Sequence, residues 1–398
     1  MTRRFVLIIL AIWAALTLAG WWLYHAAAAG DSAPGSAQHP AIKIASNAVQ
    51  TLCLPGWVLA RTLTHRTLAG AWAAPLAIGF GWAAILAPTL LLWRIRGALA
   101  GPAPRAGDVS QGRRRFIVNG AFTGGATAVA GSGAYATLVE PWDLRTTPYS
   151  VPIRDLPPEL DGLRLALLAD THLGARVPAT YLRRVVRTAL AARPDVVLLA
   201  GDYVHNDPRL APAAAAIFAP FIEERIPTLA VLGNHDWYAG ATQIRRALED
   251  AGVVIVENRP HYIDAADRRF TDTAPASGLA ITGVEDLEMG FVDFDAALAK
   301  IPASMPRLLL AHEPDTAELP QLNHRVDLML AGHTHGGQVK LPLLGTPVVP
   351  SAFGSKYAGG LVQGPAYPVL VSRGIGTSIV PVRWGVPPEV VVITLTRA

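Results

Sequence analysis

The chain has 398 residues, 51% of them hydrophobic and only 16% charged, and a formal net charge of +4. That balance excludes a disordered polar chain and points to a membrane region joined to a globular domain. The positive charge comes largely from arginine clusters beside the apolar segments, which speaks for a membrane partner and against a nucleic-acid one.

In chain order, residues 1–140 read as the membrane region. Residues 5–24 form an uncharged apolar run behind Arg3 and Arg4, long enough to cross a bilayer and read as a signal anchor. Residues 44–60 are apolar but carry Asn47, Gln50 and Pro55, as an interfacial or re-entrant helix would. This segment holds Cys53, the only cysteine, so an intrachain disulfide and a cysteine-based metal site are excluded. Residues 68–93 form a second span, closed at once by Arg94 and Arg96.

Residues 94–115 add Arg105, Arg113, Arg114 and Arg115 against the single acid Asp108, a composition that keeps a short loop in the cytoplasm. Residues 113–138 then read in one of two ways. The Ala/Gly-rich stretch behind Arg113-Arg114-Arg115-Phe116-Ile117 is a third membrane helix, or it is a twin-arginine-like export segment with a small-residue cleavage pattern at Ala134-Tyr135-Ala136. Either reading makes a multi-pass protein of the cytoplasmic (inner) membrane. Either also puts the remainder on its periplasmic or extracellular side.

From Tyr149 the pattern changes, and residues 150–398 read as an α/β domain. Strand-length apolar runs at 163–169, 196–200 and 227–232 alternate with amphipathic helical stretches at 178–193 and 212–224, where Pro220 is a kink or break. Further strands are expected at 279–284, 307–311 and 326–331. Alternating strands and helices build parallel sheets whose polar residues collect at the carboxyl ends.

Five of those ends carry metal-competent residues. They are Asp170-Thr171-His172, Gly201-Asp202, Gly233-Asn234-His235-Asp236, His312, and Gly332-His333-Thr334-His335. Singly, each histidine suits a hydrogen-bonded structural role and each aspartate a turn or cap. Asp-x-His and His-x-His pairs say more, because alternate residues leaving a strand project to one side. Burying the whole set would be costly unless cations held it together.

The ordered series resembles the signature of the calcineurin-like metallophosphoesterase superfamily, and its membrane-tethered bacterial branch in particular. The resemblance covers 150–398 and implies an αββα two-sheet sandwich, here preceded by N-terminal transmembrane helices. It further implies that Asp170, His172 and His335 hold one metal, that Asn234, His312 and His333 hold a second, and that Asp202 bridges them. His235 would steady the phosphoryl transition state or protonate the leaving oxygen, with Asp236 orienting its ring.

The residue types fit that chemistry independently. Mixed imidazole and carboxylate ligands suit two divalent ions of the Mn, Fe or Zn kind better than Ca or Mg. A pair of such ions shares an activated hydroxide and offsets the charge of in-line attack on phosphorus, with Asp202 offering two oxygens for bridging. Arg373, Glu285 and Asp286 are further candidates for substrate contact, Arg373 alternatively as the brace of a final hairpin. His205, just beyond Asp202, is placed to face substrate or, on the preferred reading, is a surface-loop histidine.

The expected protein is a membrane-anchored, dinuclear metal-dependent phosphoesterase acting on phosphodiester or lipid-linked bonds. A cytoplasm-facing pyrophosphatase of the UDP-2,3-diacylglucosamine type is the enzymatic alternative. A non-catalytic phosphate-binding membrane module is the alternative of another class.

Overall fold

The computed structural model describes residues 109–319, 324–378 and 380–398. The spans expected at 5–24 and 68–93 and the interfacial helix expected at 44–60 lie outside these residues. The chain divides into two compact units, Met1–Gly131 and Ser132–Ala398.

The segment read as a third membrane helix does form one helix, α1 (Val109–Leu138). Among the described residues, however, no helix is long and apolar enough to cross a membrane. Length is not what α1 lacks; Asn119 and glycines at 120, 124, 125, 131 and 133 dilute its apolar content. Cleavage near Ala136 also fits poorly. That residue is buried in the last turn of α1, where its carbonyl accepts the Arg383 N–H at 2.9 Å, whereas proteolytic sites are exposed and mobile.

Within Ser132–Ala398, parallel strands buried on both faces make the centre, as their unbroken Val/Leu/Ala runs require. One sheet has six strands in the order β1 (Arg145–Ile153), β13 (Glu389–Arg397), β2 (Arg164–Leu168), β3 (Val196–Ala200), β4 (Thr228–Val231) and β5 (Val254–Ile255). The other has seven: β11 (Gly360–Gln363), β12 (Pro368–Val371), β10 (Leu328–Ala331), β9 (Arg307–Leu310), β8 (Gly278–Gly283), β6 (His261–Asp264) and β7 (Phe270–Thr271). Strand β1 begins before the change of sequence pattern at Tyr149, so the sheet reaches further upstream than the expected domain start.

Period-two alternation divides each strand between two packing layers. Leu165, Leu167, Leu198 and Val231 meet Ile281, Leu308, Leu310 and Leu330 between the sheets. Their neighbours Ala166, Leu168, Val197 and Leu199 face helices α2 (Ala179–Ala191), α3 (Ala211–Glu223) and α4 (Asn234–Asp250). Helix α2 shows why: Leu182, Val185, Val186 and Ala189 are buried while Arg183, Arg184 and Arg187 stay in water. On the far side Leu309, Met329 and Val371 pack on the short helix α5 (Phe294–Leu298). The layers are therefore those of an αββα sandwich.

The sheets are mixed rather than wholly parallel. The last strand, β13, runs parallel to β1 and antiparallel to β2, inserted between them. Consequently β12 and β13 lie in different sheets and form no hairpin with each other; the last hairpin is β11–β12, and Arg373 just beyond it packs against Gly359 and ties to Glu389 at the start of β13. Pro220 is accommodated inside α3.

Candidate metal centre

All the residues singled out for chemistry emerge at carboxyl ends of strands. β2 delivers Asp170 and His172, β3 delivers Asp202 and then His205, and β4 runs through Gly233 into the first turn of α4 with Asn234, His235 and Asp236. β9 delivers His312, and β10 delivers His333 and His335. Asp170, His172, Asp202, Asn234, His312 and His335 are all buried.

Their polar atoms converge in two adjoining groups. In the first, His172 Nε2 is 2.9 Å from His335 Nε2, which is 4.0 Å from Asp170 Oδ1. In the second, His312 Nε2 is 3.2 Å from His333 Nδ1. Asp202 stands between them, with Oδ2 3.4 Å from His172 Nε2 and 3.4 Å from His312 Nε2. Its Oδ1 accepts the His235 backbone N–H at 2.9 Å, so one carboxylate oxygen, not two, faces both groups. Gly233, the residue before Asn234, packs against the second group: an added Cβ there would come within 2.7 Å of the His312 ring.

Backbone conformation brings the pairs together, not strand alternation. Asp170, His172, Asp202, His333 and His335 all have positive φ, between 46° and 68°. For residues bearing a Cβ this region costs about 1–2 kcal/mol each, and such strain gathers at functional sites. The first and last ligand loops are thus coiled, and each presents two side chains from a tight turn.

The electrostatics follow from crowding these groups away from water. Burial pushes the Asp170 carboxyl up to about 7. Burial would also raise Asp202, but His312, His235 and His172 hold it well below the usual carboxylate range. Burial drives His172 and His335 well below the ordinary histidine value, His335 also feeling Arg383, and burial with nearby His312 takes His333 down to about 3. His312 goes the other way, well above its ordinary value: burial pulls it down, but Asp202, Glu313 and Asp170 together outweigh that. Most of these imidazoles are neutral at pH 7 and so present lone pairs, the form that binds cations.

Two observations test whether cations fit. Asp170 Oδ2 and Asn234 Oδ1 are buried acceptors with no donor, and two imidazole nitrogens face each other across 2.9 Å. Unmet buried polar atoms are rare and costly, and divalent cations would satisfy both acceptors and the facing nitrogens together. The donor set fits.

Other expectations need correction. Asp236 does not orient the His235 ring: its carboxylate accepts the backbone N–H groups of Asp202, Tyr203 and Gly233 at 2.7–3.0 Å and of Val204 at 3.3 Å. The partner of His235 Nδ1 is the His205 carbonyl, at 2.6 Å. His205 itself is not a surface-loop residue, since its half-buried ring stacks on His235 with centroids 5.0 Å apart. Arg373 is engaged with Glu389 and with Thr147 Oγ1, which leaves phosphate binding without support. Glu285 accepts the Phe291 N–H at 2.9 Å, and buried Asp286 accepts those of Glu288 and Met289, so both shape the 285–291 loop rather than meet a substrate.

Sequence reasoning missed two buried charged residues. Glu313 offers a carboxylate oxygen within 4.8 Å of ligand atoms of His312 and His333; its place directly after a strand-end histidine was an available signal. Arg383 is fully buried, donates to the carbonyls of Arg373, Gly374, Gly376 and Val386, and reaches to 3.4 Å from His335 Nδ1. A lone arginine in a Gly/Pro-rich stretch carries no spacing that would mark it.

Known proteins with similar sequences agree with this geometry. A calcineurin-like phosphoesterase profile matches residues 163–337. An uncharacterized metallophosphoesterase of Bacillus subtilis, YkuE, is 30% identical over 292 residues, covering 71% of this chain and 97% of that protein. The phosphodiesterase YaeI of Escherichia coli is 33% identical over 235 residues, 58% of this chain and 82% of that one. A Bos taurus transmembrane protein with a metallophosphoesterase domain is 29% identical over 63% of this chain and 57% of its own length. With a relative matched over nearly its whole length and a site of the corresponding chemistry at the strand ends, this chain belongs to the calcineurin-like phosphoesterases and is a metal-dependent phosphoester hydrolase.

Proposed function

We propose that the hydrolase works with two divalent cations of the Mn, Fe or Zn kind, one held by Asp170, His172 and His335, the other by Asn234, His312 and His333. Asp202 is shared between them. The observation that carries this reading is Asp202 Oδ2, equally 3.4 Å from one imidazole nitrogen of each group. When bound, the cations supply Lewis acidity toward the phosphoryl oxygens and lower the pKa of the attacking water.

The chain's own residues do the rest. Hydrogen bonding to the His205 carbonyl keeps a proton on His235 Nδ1, which leaves Nε2, 3.4 Å from Ser378 Oγ, as the nitrogen that carries or gives up a proton toward substrate. His235 also orients Asp202 through its backbone N–H. One residue therefore links the acid–base group to the shared ligand.

The substrate class is a phosphodiester or lipid-linked phosphoester, and the chain is anchored in the inner membrane by its apolar runs 5–24 and 68–93. Support comes from the charge-free apolar runs and from the relative named a transmembrane protein. A periplasmic side for the domain rests on the arginine cluster at 113–115 alone, since α1 is not apolar enough to serve as a third span. A reporter fused after Ala398 that is active only in the cytoplasm overturns that side.

For the chemistry, the detergent-purified chain should hydrolyse bis-p-nitrophenyl phosphate with Mn²⁺. Asp202→Ala should lose metal, counted by elemental analysis, together with at least about 10³-fold in rate. Equal rates in the two proteins would end the assignment.

A further inference from the structure

Immediately after the last metal-competent histidine the chain makes a projection that the hydrolase reading leaves unused. Residues 341–345 form a closed turn, with the Leu341 N–H donating to the Gly345 carbonyl at 2.8 Å and the Gly345 N–H to the Leu341 carbonyl at 3.0 Å. At its apex are Pro342, Leu343 and Leu344. Leu343 is fully exposed at 107% and Leu344 is 76% exposed. Leu343 also has φ +66°, a left-handed conformation that a branched side chain adopts only under constraint. Val348 and Phe353 extend the bare apolar surface.

The base of the projection is tied to the metal loop. A Cβ at Gly337 would collide with Thr346 and with the Val348 carbonyl, so the returning strand of the loop packs directly against a residue two positions from His335. Gln338 accepts the Ser378 N–H at 2.8 Å and donates to the Val380 carbonyl at 3.0 Å, while Ser378 Oγ lies 3.4 Å from His235 Nε2. Its far end is pinned as Ser351 Oγ and the Ala352 N–H donate to Asp315, at 2.5 and 2.7 Å. This is a stiff apolar tip on a base continuous with the mouth of the site.

Charge selects the occupant. Along the chain no aspartate or glutamate occurs from Gly332 to Pro388, and Lys340 stands at the root of the turn; the acids that reach this segment, Asp315 and Glu318, are taken up by Ser351 with Ala352 and by Lys356 with Tyr357. An apolar tip flanked by cationic and neutral residues suits an anionic bilayer, where leucines enter the headgroup boundary and lysine meets lipid phosphate. The same chain carries the apolar runs 5–24 and 68–93, which keep a bilayer within reach.

We propose that the loop 340–353 docks into an anionic membrane surface through Leu343 and Leu344, holding the metal centre at the height of phosphoesters borne on that surface. The proposal rests on the hydrolase reading above and names where its substrate lies.

The test uses the full chain in proteoliposomes of equal parts phosphatidylglycerol and phosphatidylcholine. Cys53→Ser removes the only native thiol, and Val348→Cys carries an environment-sensitive fluorophore beside the tip. Asp267→Cys, in the turn after β6 at the opposite end of the sheet, is the labelled control. The Val348 label should shift to the blue and lose most of its emission to nitroxide-bearing lipid, the Asp267 label should not, and Leu343→Asp with Leu344→Asp should abolish the difference. Turnover of soluble bis-p-nitrophenyl phosphate should stay unchanged in that double variant, which shows the fold intact. A Val348 label that stays aqueous while metal-dependent turnover persists overturns docking and leaves the hydrolase reading standing. A blue shift without lipid quenching means protein covers the tip, and also overturns it. Loss of metal-dependent turnover in the unsubstituted chain strikes the hydrolase reading instead.

Discussion

At the scale of single residues, His235 and Asp236 are neighbours in sequence with separate duties. His235 faces the reactive space, held by a backbone carbonyl on one nitrogen. Asp236 is fully buried and gathers four backbone N–H groups from the turns after β3 and β4. His235→Ala should therefore keep its metal and its melting temperature while losing about 10²–10⁴-fold in kcat. Asp236→Ala strands buried donors and should cost at least about 3 kcal/mol in denaturant unfolding. Equal melting temperatures for the two variants would contradict this division. Residue types were legible beforehand, because few structural roles need this series of His, Asp and Asn at strand ends. The partner of each side chain was not, since it depends on which loops approach one another.

At the scale of elements, α4 does two jobs, presenting Asn234 and His235 at one end and anchoring its middle through Arg245. The Arg245 guanidinium pairs with Glu257, whose other oxygen accepts the Leu232 N–H at the end of β4, at 2.8 Å. Burial pushes the Glu257 carboxyl up to about 7, against the opposing pull of Arg245. The folded value lies above the ordinary glutamate value of 4.5, so the folded state binds the proton more tightly and stability falls as pH rises from about 4.5 through 7. The full effect is about 3 kcal/mol. Glu257→Gln keeps an acceptor for Leu232 and should flatten the melting temperature between pH 5 and 8; an unchanged slope would rule out this source. Helices α2 and α3 and the inner strands lie within a residue or two of their expected bounds, because amphipathic spacing and unbroken apolar runs are local signals. Strand β13 was not foreseen as the partner of β1 and β2, since pairing across more than 200 residues leaves no local trace.

At the scale of the molecule, two sheets meet edge-on to one site, and the energy of gathering its polar groups must come from what binds there. Burial raises Asp170 to about 7, so without cations this group favours folding at acid pH, and its contribution is lost as pH rises through 7. Cations need the ionised form, and their binding strengthens as pH rises. Chelator-treated protein should therefore melt at falling temperature from about pH 6.5 to 8, above the range in which the depressed histidines His172, His333 and His335 act in the opposite sense, and added Mn²⁺ should restore stability by a margin that widens with pH. Calorimetry across that range checks both trends, and a margin that narrows at high pH would oppose the assignment of Asp170 as a ligand.

By itself the sequence determined the α/β class, the order of strand-end blocks and the residue types that meet there, because periodicity and ligand chemistry are written locally. Only the tertiary structure decided that five of the ligand residues sit in left-handed backbone and that one oxygen of Asp202 faces both groups. It likewise decided that Arg383 is buried behind His335 and that Leu343 stands bare beyond the site. Those features depend on how distant loops pack, and spacing along a chain carries no record of that.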